Sequence, residues 1–321
     1  MNGFLTVCYH YIRPVANDPF PRILGTREDV FREHVQALQN AFQVISLSEA
    51  VAFFRGDFHF KEDKPGLLFT FDDGLSDHYT AARILAEHDI KAVFFIPTSI
   101  LTDKLPINPV IIHYCLAHYG IDAFLKSYEG ALEEHNLNFD DFAVTFKKGV
   151  DGPAKTISEI KSVFKYRLAS RDSRNVLLCI YRNLFEKDFS EAMKIMHVTR
   201  EQIQEMLDMG HHIGAHSHSH LSIASANLSE EDFKREMIFP KEYLEHTFTT
   251  NVKAFSYPFG ERQDCFSSEE LLRRTSAYAL AFTVDRFLNT KSVSPLELGR
   301  HSVQSRDNVG KVLEDLQAMV R

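Results

Sequence analysis

The stretch Leu67-Leu68-Phe69-Thr70-Phe71-Asp72-Asp73-Gly74 decides the fold. Its first five residues are apolar or β-branched on both faces, the pattern of a strand in a parallel, helix-covered sheet. The strand ends in two carboxylates and a glycine, and active sites of parallel α/β folds lie at the C-terminal ends of their strands. Similar runs recur at Leu5–Tyr11, Phe42–Ile45, Ala92–Ile96, His212–Ala215, Val252–Tyr257, Tyr278–Val284 and Leu298–Val303, with helical patterns between them. Thr26 with Asp29, Ser46 with Glu49 and Thr199 with Gln202 read as capping boxes that open helices. Ser229 reads as the cap of a helix toward Tyr243 that Pro240 should kink or interrupt, and Asp307 as the start of a C-terminal amphipathic helix. Strand–helix alternation over this length predicts an α/β barrel or a doubly wound sheet.

Between Pro97 and Thr199 the strands stop. Thr98–Val198 carries 13 basic and 13 acidic side chains and reads as helices, an electrically neutral insertion. The expected organisation is therefore a discontinuous α/β unit, 1–100 and 199–321, with a helical insertion at 101–198.

With 321 residues, 44% hydrophobic and 25% charged, the chain is neither disordered nor fibrous. A formal charge of −8 gives bulk charge no part in binding nucleic acid. Cys8, Cys115, Cys179 and Cys265 form no C-x-x-C pair and read as buried, reduced thiols. No signal peptide is read at the N-terminus, which makes a cytoplasmic protein the expectation. The most apolar stretch, Ala92–Ile100, is too short to span a bilayer.

Histidine is the anomaly: of 16, five fall between His211 and His220. Asp72 and Asp73 alternate across a strand, so one is able to bind a metal while the other stays free as a base. The competing reading is that either simply caps the next helix. His216 and His220, four apart in one helical turn, would share a metal. His211 and His212 read as ordinary core histidines. Two histidines and one carboxylate make a site with open coordination positions, which separates a catalytic from a structural metal.

Thr70-Phe71-Asp72-Asp73-Gly74 and His216-Ser217-His218-Ser219-His220 resemble the first two motifs of the polysaccharide deacetylases, the NodB-homology carbohydrate esterases. Phe255-Ser256-Tyr257-Pro258-Phe259-Gly260 is similar to a third, Arg-x-Pro-Tyr motif, with serine where many relatives carry arginine. Val7-Cys8-Tyr9-His10-Tyr11 resembles the Tyr-His segment of poly-N-acetylglucosamine deacetylases. The resemblance implies a distorted (β/α) barrel and a metal-dependent amidohydrolase that removes an N-acetyl group from a sugar. It implies Asp73, His216 and His220 as ligands of a divalent cation, zinc by preference, with cobalt, nickel or manganese as alternatives. It implies Asp72 as general base, and Tyr257, Pro258 and Phe259 as the loop around the oxyanion, which the Phe259 N–H would hold. His10 is the expected general acid and His301 the rival. Arg300 is expected to take the place of the missing arginine and to pair with Asp72. Given the expected location, the substrate would be a soluble N-acetylated sugar, a nucleotide sugar or a lipid-linked glycan, with no nucleic acid. A different C–N hydrolase such as a deformylase, a carbohydrate-binding barrel without catalysis and a protein-binding scaffold are the alternatives.

Overall fold

The computed structural model describes residues 2–61, 64–185, 189–224, 226, 228–265 and 268–320. The strands are β1 (Gly3–Tyr9), β2 (Ile12–Arg13), β3 (Thr26–Arg27), β4 (Gln43–Val44), β5 (Gly66–Phe71), β6 (Val93–Ile96), β7 (His212–Ala215), β8 (Ala254–Ser256), β9 (Leu280–Phe282), β10 (Asn289–Thr290) and β11 (His301–Ser302). Nine of them form one curled sheet in the order β10-β1-β5-β6-β7-β8-β9, with β4 against β5 and β11 against β1. Every pairing in it is parallel except that of β10. This is an α/β fold, a distorted (β/α) barrel.

Alternation along each strand sorts the side chains. On the inner face, Phe4, Leu68, Val93, Phe95, Phe282 and Leu298 pack with Phe53 and other residues of helix Leu47–Arg55 into the hydrophobic floor of the barrel. Further along the same face come Cys8 and Thr70, then His10 and Asp72. Outward, Tyr9 lies 5.1 Å from Phe31 of helix Glu28–Ala41, and its hydroxyl is 3.2 Å from His34 Nδ1.

Register brings the motifs to one rim. Tyr9 pairs with Phe71, Phe71 with Phe94, Ile96 with Ala215, and Ala215 with Phe255. His10, Asp72, His216 and Ser256 therefore sit at the C-terminal ends of neighbouring parallel strands, which no side-chain chemistry has to arrange.

Two compact units are present. One comprises Met1–Asp18, Leu24–Asp103 and His197–Arg321; the other comprises Pro19–Ile23 and Lys104–Met196. The second is helical. It is built on Asn108–Glu134, which breaks at Gly120 (φ 83°), and on Ser170–Leu184. Among the described residues no helix is long and apolar enough to cross a membrane.

Several local expectations are corrected. Thr26 opens no helix: Thr26–Arg27 is a strand paired with Ile12–Arg13, and Asp29 accepts from its neighbour Val30 and from Arg27. The capping boxes at Ser46 and Thr199 are present with both reciprocal bonds. The helix from Ser229 is interrupted just before Pro240, as expected: Glu230–Phe233 gives way to a π-turn at Lys234–Ile238 and a new helix begins at Phe239. Pro240 stands in the first turn of helix Phe239–Phe248, where its missing N–H is harmless. The C-terminal helix is capped by Asn308, one residue past Asp307.

Candidate active site

Asp73 is the pivot. Its Oδ1 lies 3.3 Å from His216 Nε2 and 3.0 Å from His220 Nε2, and all three side chains are buried. The atoms converge without aligning as hydrogen bonds: Asp73 Oδ1 and His220 Nδ1 have no hydrogen-bond partner. A buried carboxylate oxygen left unmet between two imidazole nitrogens is costly by itself. These residues fit a divalent cation. One carboxylate and two imidazoles form a 2-His-1-carboxylate set, and their candidate ligand atoms lie within 4.8 Å of one another. His216 Nδ1 is 2.8 Å from the Ser256 carbonyl. That acceptor favours the Nδ1–H tautomer and leaves Nε2 with a lone pair available to a cation.

The two histidines converge differently from the helical turn that their spacing implies. Residues 216–220 form a loop in which Ser217 (φ 57°) and His220 (φ 59°) adopt the left-handed conformation. Asp73 (φ 82°) and Phe259 (φ 63°) do so as well. Each such residue costs about 1–2 kcal/mol, so the surrounding structure must hold it. Ser217 Oγ accepts from His220 N at 2.9 Å. Glu236 does more. Its carboxylate, in the π-turn, accepts from Ser219 N and Ser219 Oγ at 2.8 Å each, and its backbone carbonyl accepts from His218 N at 3.0 Å. Glu236→Ala is expected to lower metal affinity by roughly 10- to 100-fold, as loss of an outer support does. Competition with a chromophoric chelator measures it.

Asp72 has different partners. Arg300, wholly buried, donates from both Nη atoms to its two oxygens, each at 2.8 Å. Ser256 Oγ donates to Asp72 Oδ2 (3.0 Å) and accepts from Arg300 (2.9 Å). Arg300 Nε is anchored on the Thr283 carbonyl, and the guanidinium lies about 6 Å from the Phe95 and Phe282 rings of the barrel floor. Burial alone would raise the Asp72 carboxyl. The Arg300 charge and its hydrogen bonds outweigh it and hold the acid well below the usual carboxylate range. Asp73 is likewise held low against its burial, by His220 and His216.

His10 is half-buried, with a ring nitrogen within 4.8 Å of both an Asp72 oxygen and Cys8 Sγ. Its carbonyl is 3.2 Å from Nε2 of His78, a buried ring whose pKa burial pushes down to about 3. His301 lies elsewhere. Arg300 takes the inner face, so its neighbour takes the outer one, toward helix Val309–Ala318, with His301 Nε2 3.9 Å from Asp315. Tyr257 points away from the histidines and donates to the Leu296 carbonyl. Pro258 is buried beside it, and the Phe259 ring stands edge-on to His220 at 4.9 Å. His211 spans the Ala92 N–H and the Ala82 carbonyl as a core histidine.

The family model for polysaccharide deacetylases matches residues 175–276, which contain both histidines and the Ser256–Phe259 turn. No curated protein matches the chain in sequence. In structure, the chain is similar to the deacetylase PplD of Streptococcus pyogenes, solved with acetate (TM-score 0.59, 15% identity, 98% of each chain covered). It is similar to IcaB of Ammonifex degensii (0.56, 16%, 99% of this chain and 98% of that one). It is also similar to a de-N-acetylase of Aggregatibacter actinomycetemcomitans (0.56, 12%, 98% and 99%). These likenesses carry the distorted barrel fold of the NodB type, and the family model for polysaccharide deacetylases matches the segment that holds both histidines.

Proposed function

We propose that the protein is a metal-dependent de-N-acetylase acting on an N-acetylated sugar, whether free, nucleotide-linked or part of a glycan. One observation carries the reading: an Arg300-paired carboxylate, Asp72, adjoins a buried Asp73–His216–His220 triad and a half-buried His10 at one rim of the barrel. Names of the structural relatives agree, as deacetylase and de-N-acetylase.

Asp73, His216 and His220 would hold the cation, with zinc the ion we favour. When bound there, a divalent ion would supply Lewis acidity toward an amide carbonyl and would make a nearby water more acidic. Asp72 takes a proton from the attacking water. Arg300 keeps this base ionised, and Ser256 and Arg300 together fix its orientation. The Phe259 N–H, on its left-handed turn, donates to the developing oxyanion. His10 donates a proton to the departing amine, without which the amine is a poor leaving group.

The test is acetate release from a panel of N-acetylated mono- and oligosaccharides, with the protein stripped by chelator and then reloaded. Acetate that disappears on stripping and returns on reloading is the expected result. Metal binding without acetate from any member would overturn the reading in favour of a non-catalytic barrel, and formate from formylated analogues would shift it to another C–N hydrolase. His10→Asn is expected to lower kcat by about 10²- to 10⁴-fold with metal content unchanged, read by steady-state kinetics beside metal analysis.

A further inference from the structure

We propose that Cys8, His10 and Asp72 form a second cation site that takes a soft divalent ion, such as cadmium or excess zinc, and shuts off the catalytic pair when filled. The binding claim stands on geometry alone; the inhibition claim rests on the deacetylase reading above. Cys8 on β1 and His10, one residue past its end, are two apart and fall on the inner face, and Asp72 follows β5 beside them. Cys8 Sγ, a His10 ring nitrogen and an Asp72 oxygen all lie within 4.8 Å of one another. No residue is shared with the Asp73–His216–His220 set. Cys8 is wholly buried and Asp72 nearly so, while half-buried His10 gives the side of entry.

Thiolate, imidazole and carboxylate are a donor set for zinc and softer ions, not for magnesium or calcium. Arg300 sharpens this choice. Its guanidinium repels any cation beside Asp72, so only an ion with a strong bond to sulfur gains enough to stay. Binding displaces the Cys8 thiol proton to solvent as the metal–sulfur bond forms, so that thiolate and Asp72 set two negative charges against the dication and Arg300. Asp72 Oδ2 is already engaged by both Arg300 and Ser256, whereas Oδ1 has Arg300 as its one nitrogen donor. Oδ1 is therefore the oxygen with room for an ion, and equally the one with room for the attacking water. A filled site would occupy base and acid together.

The experiment uses the full chain loaded with one equivalent of zinc and titrated with cadmium. Binding is followed by equilibrium dialysis and by the ultraviolet thiolate-to-cadmium charge-transfer band, and acetate release is followed in parallel. Expected is one further equivalent, a band that grows with it and activity that falls with it. Cadmium exchanging into the first site yields no band, because that site has no sulfur. Cys8→Ser should lose the band, bind the further equivalent at least about tenfold more weakly and keep its activity at cadmium levels that silence the parent. Cys8→Ala serves if the serine variant does not fold, and His10→Asn should weaken the further equivalent with Cys8 intact. A band that survives loss of Cys8, or no further equivalent, overturns the proposal. Absence of acetate release without added cadmium would sink the deacetylase reading instead, and the band and stoichiometry would still decide the site.

Discussion

Asp73→Asn is expected to strip the protein of its metal and leave the fold in place. Asparagine tolerates the left-handed backbone that Asp73 adopts at φ 82°, so the turn into Gly74 need not move. What changes is charge. Asp73 Oδ1 is the point on which both imidazoles converge, at 3.0 and 3.3 Å, and it is the set's only anionic ligand. An amide oxygen there offers a dipole in place of a full charge. Loss of an outer-shell partner already costs about 10- to 100-fold in metal affinity, so loss of the anionic ligand should exceed about 100-fold. Turnover should fall at least in proportion, with far-ultraviolet circular dichroism unchanged. Metal content after dialysis is the direct measurement. A variant that retains a full equivalent would mean that the cation sits elsewhere.

The parts of this site legible in sequence are those that depend on local pattern. The double-sided apolar run before Asp72 shows a buried parallel strand that places the Asp72–Asp73 motif at its end, and the separate run His212–Ala215 does the same for the histidine motif. Ser46–Glu49 and Thr199–Gln202 are legible for the same reason, since each capping box closes within four residues. Thr26 and Asp29 carry the same local signal and form no box, because Thr26 is drawn into pairing with Ile12, a contact across the fold. Arg300 and Asp72 are separated by 228 residues, yet an arginine missing from its usual motif position left one carboxylate in need of a partner. Ser256 was visible only as that departure; its bonds to both members of the pair appear only in three dimensions. Glu236 carried no signal at all. It lies in a stretch whose charges look solvent-facing, and the π-turn that aims it at Ser219 has no short sequence signature. Cys8 reads as one buried thiol among four until register sets it beside Asp72.

Arg300→Met should change both the stability of the protein and the way that stability depends on pH. Methionine fills much of the arginine's volume above Phe95 and Phe282 but leaves Asp72 as a buried carboxylate without its ion pair. Breaking a buried pair from one side costs about 3–5 kcal/mol near neutral pH. In the parent, Asp72 titrates below the value it would have unfolded. Its pairing therefore contributes fully above the ordinary carboxylate range and is lost only as pH falls through the depressed value. In the variant, burial acts without the guanidinium and lifts Asp72 above its unfolded value. The sign reverses: Asp72 now favours folding most when protonated, and stability declines as pH rises through the lifted pKa. Denaturant unfolding at several pH values between about 4 and 7 should show a deficit that shrinks on acidification. The same lift moves the acid limb of the turnover profile upward, because the base is now protonated at pH values where the parent keeps it ionised. Arg300→Lys restores a charge but not the two-pronged fork, and should recover part of the stability and less of the turnover. A deficit independent of pH, with an unmoved acid limb, would show that Arg300 merely fills space beneath Asp72.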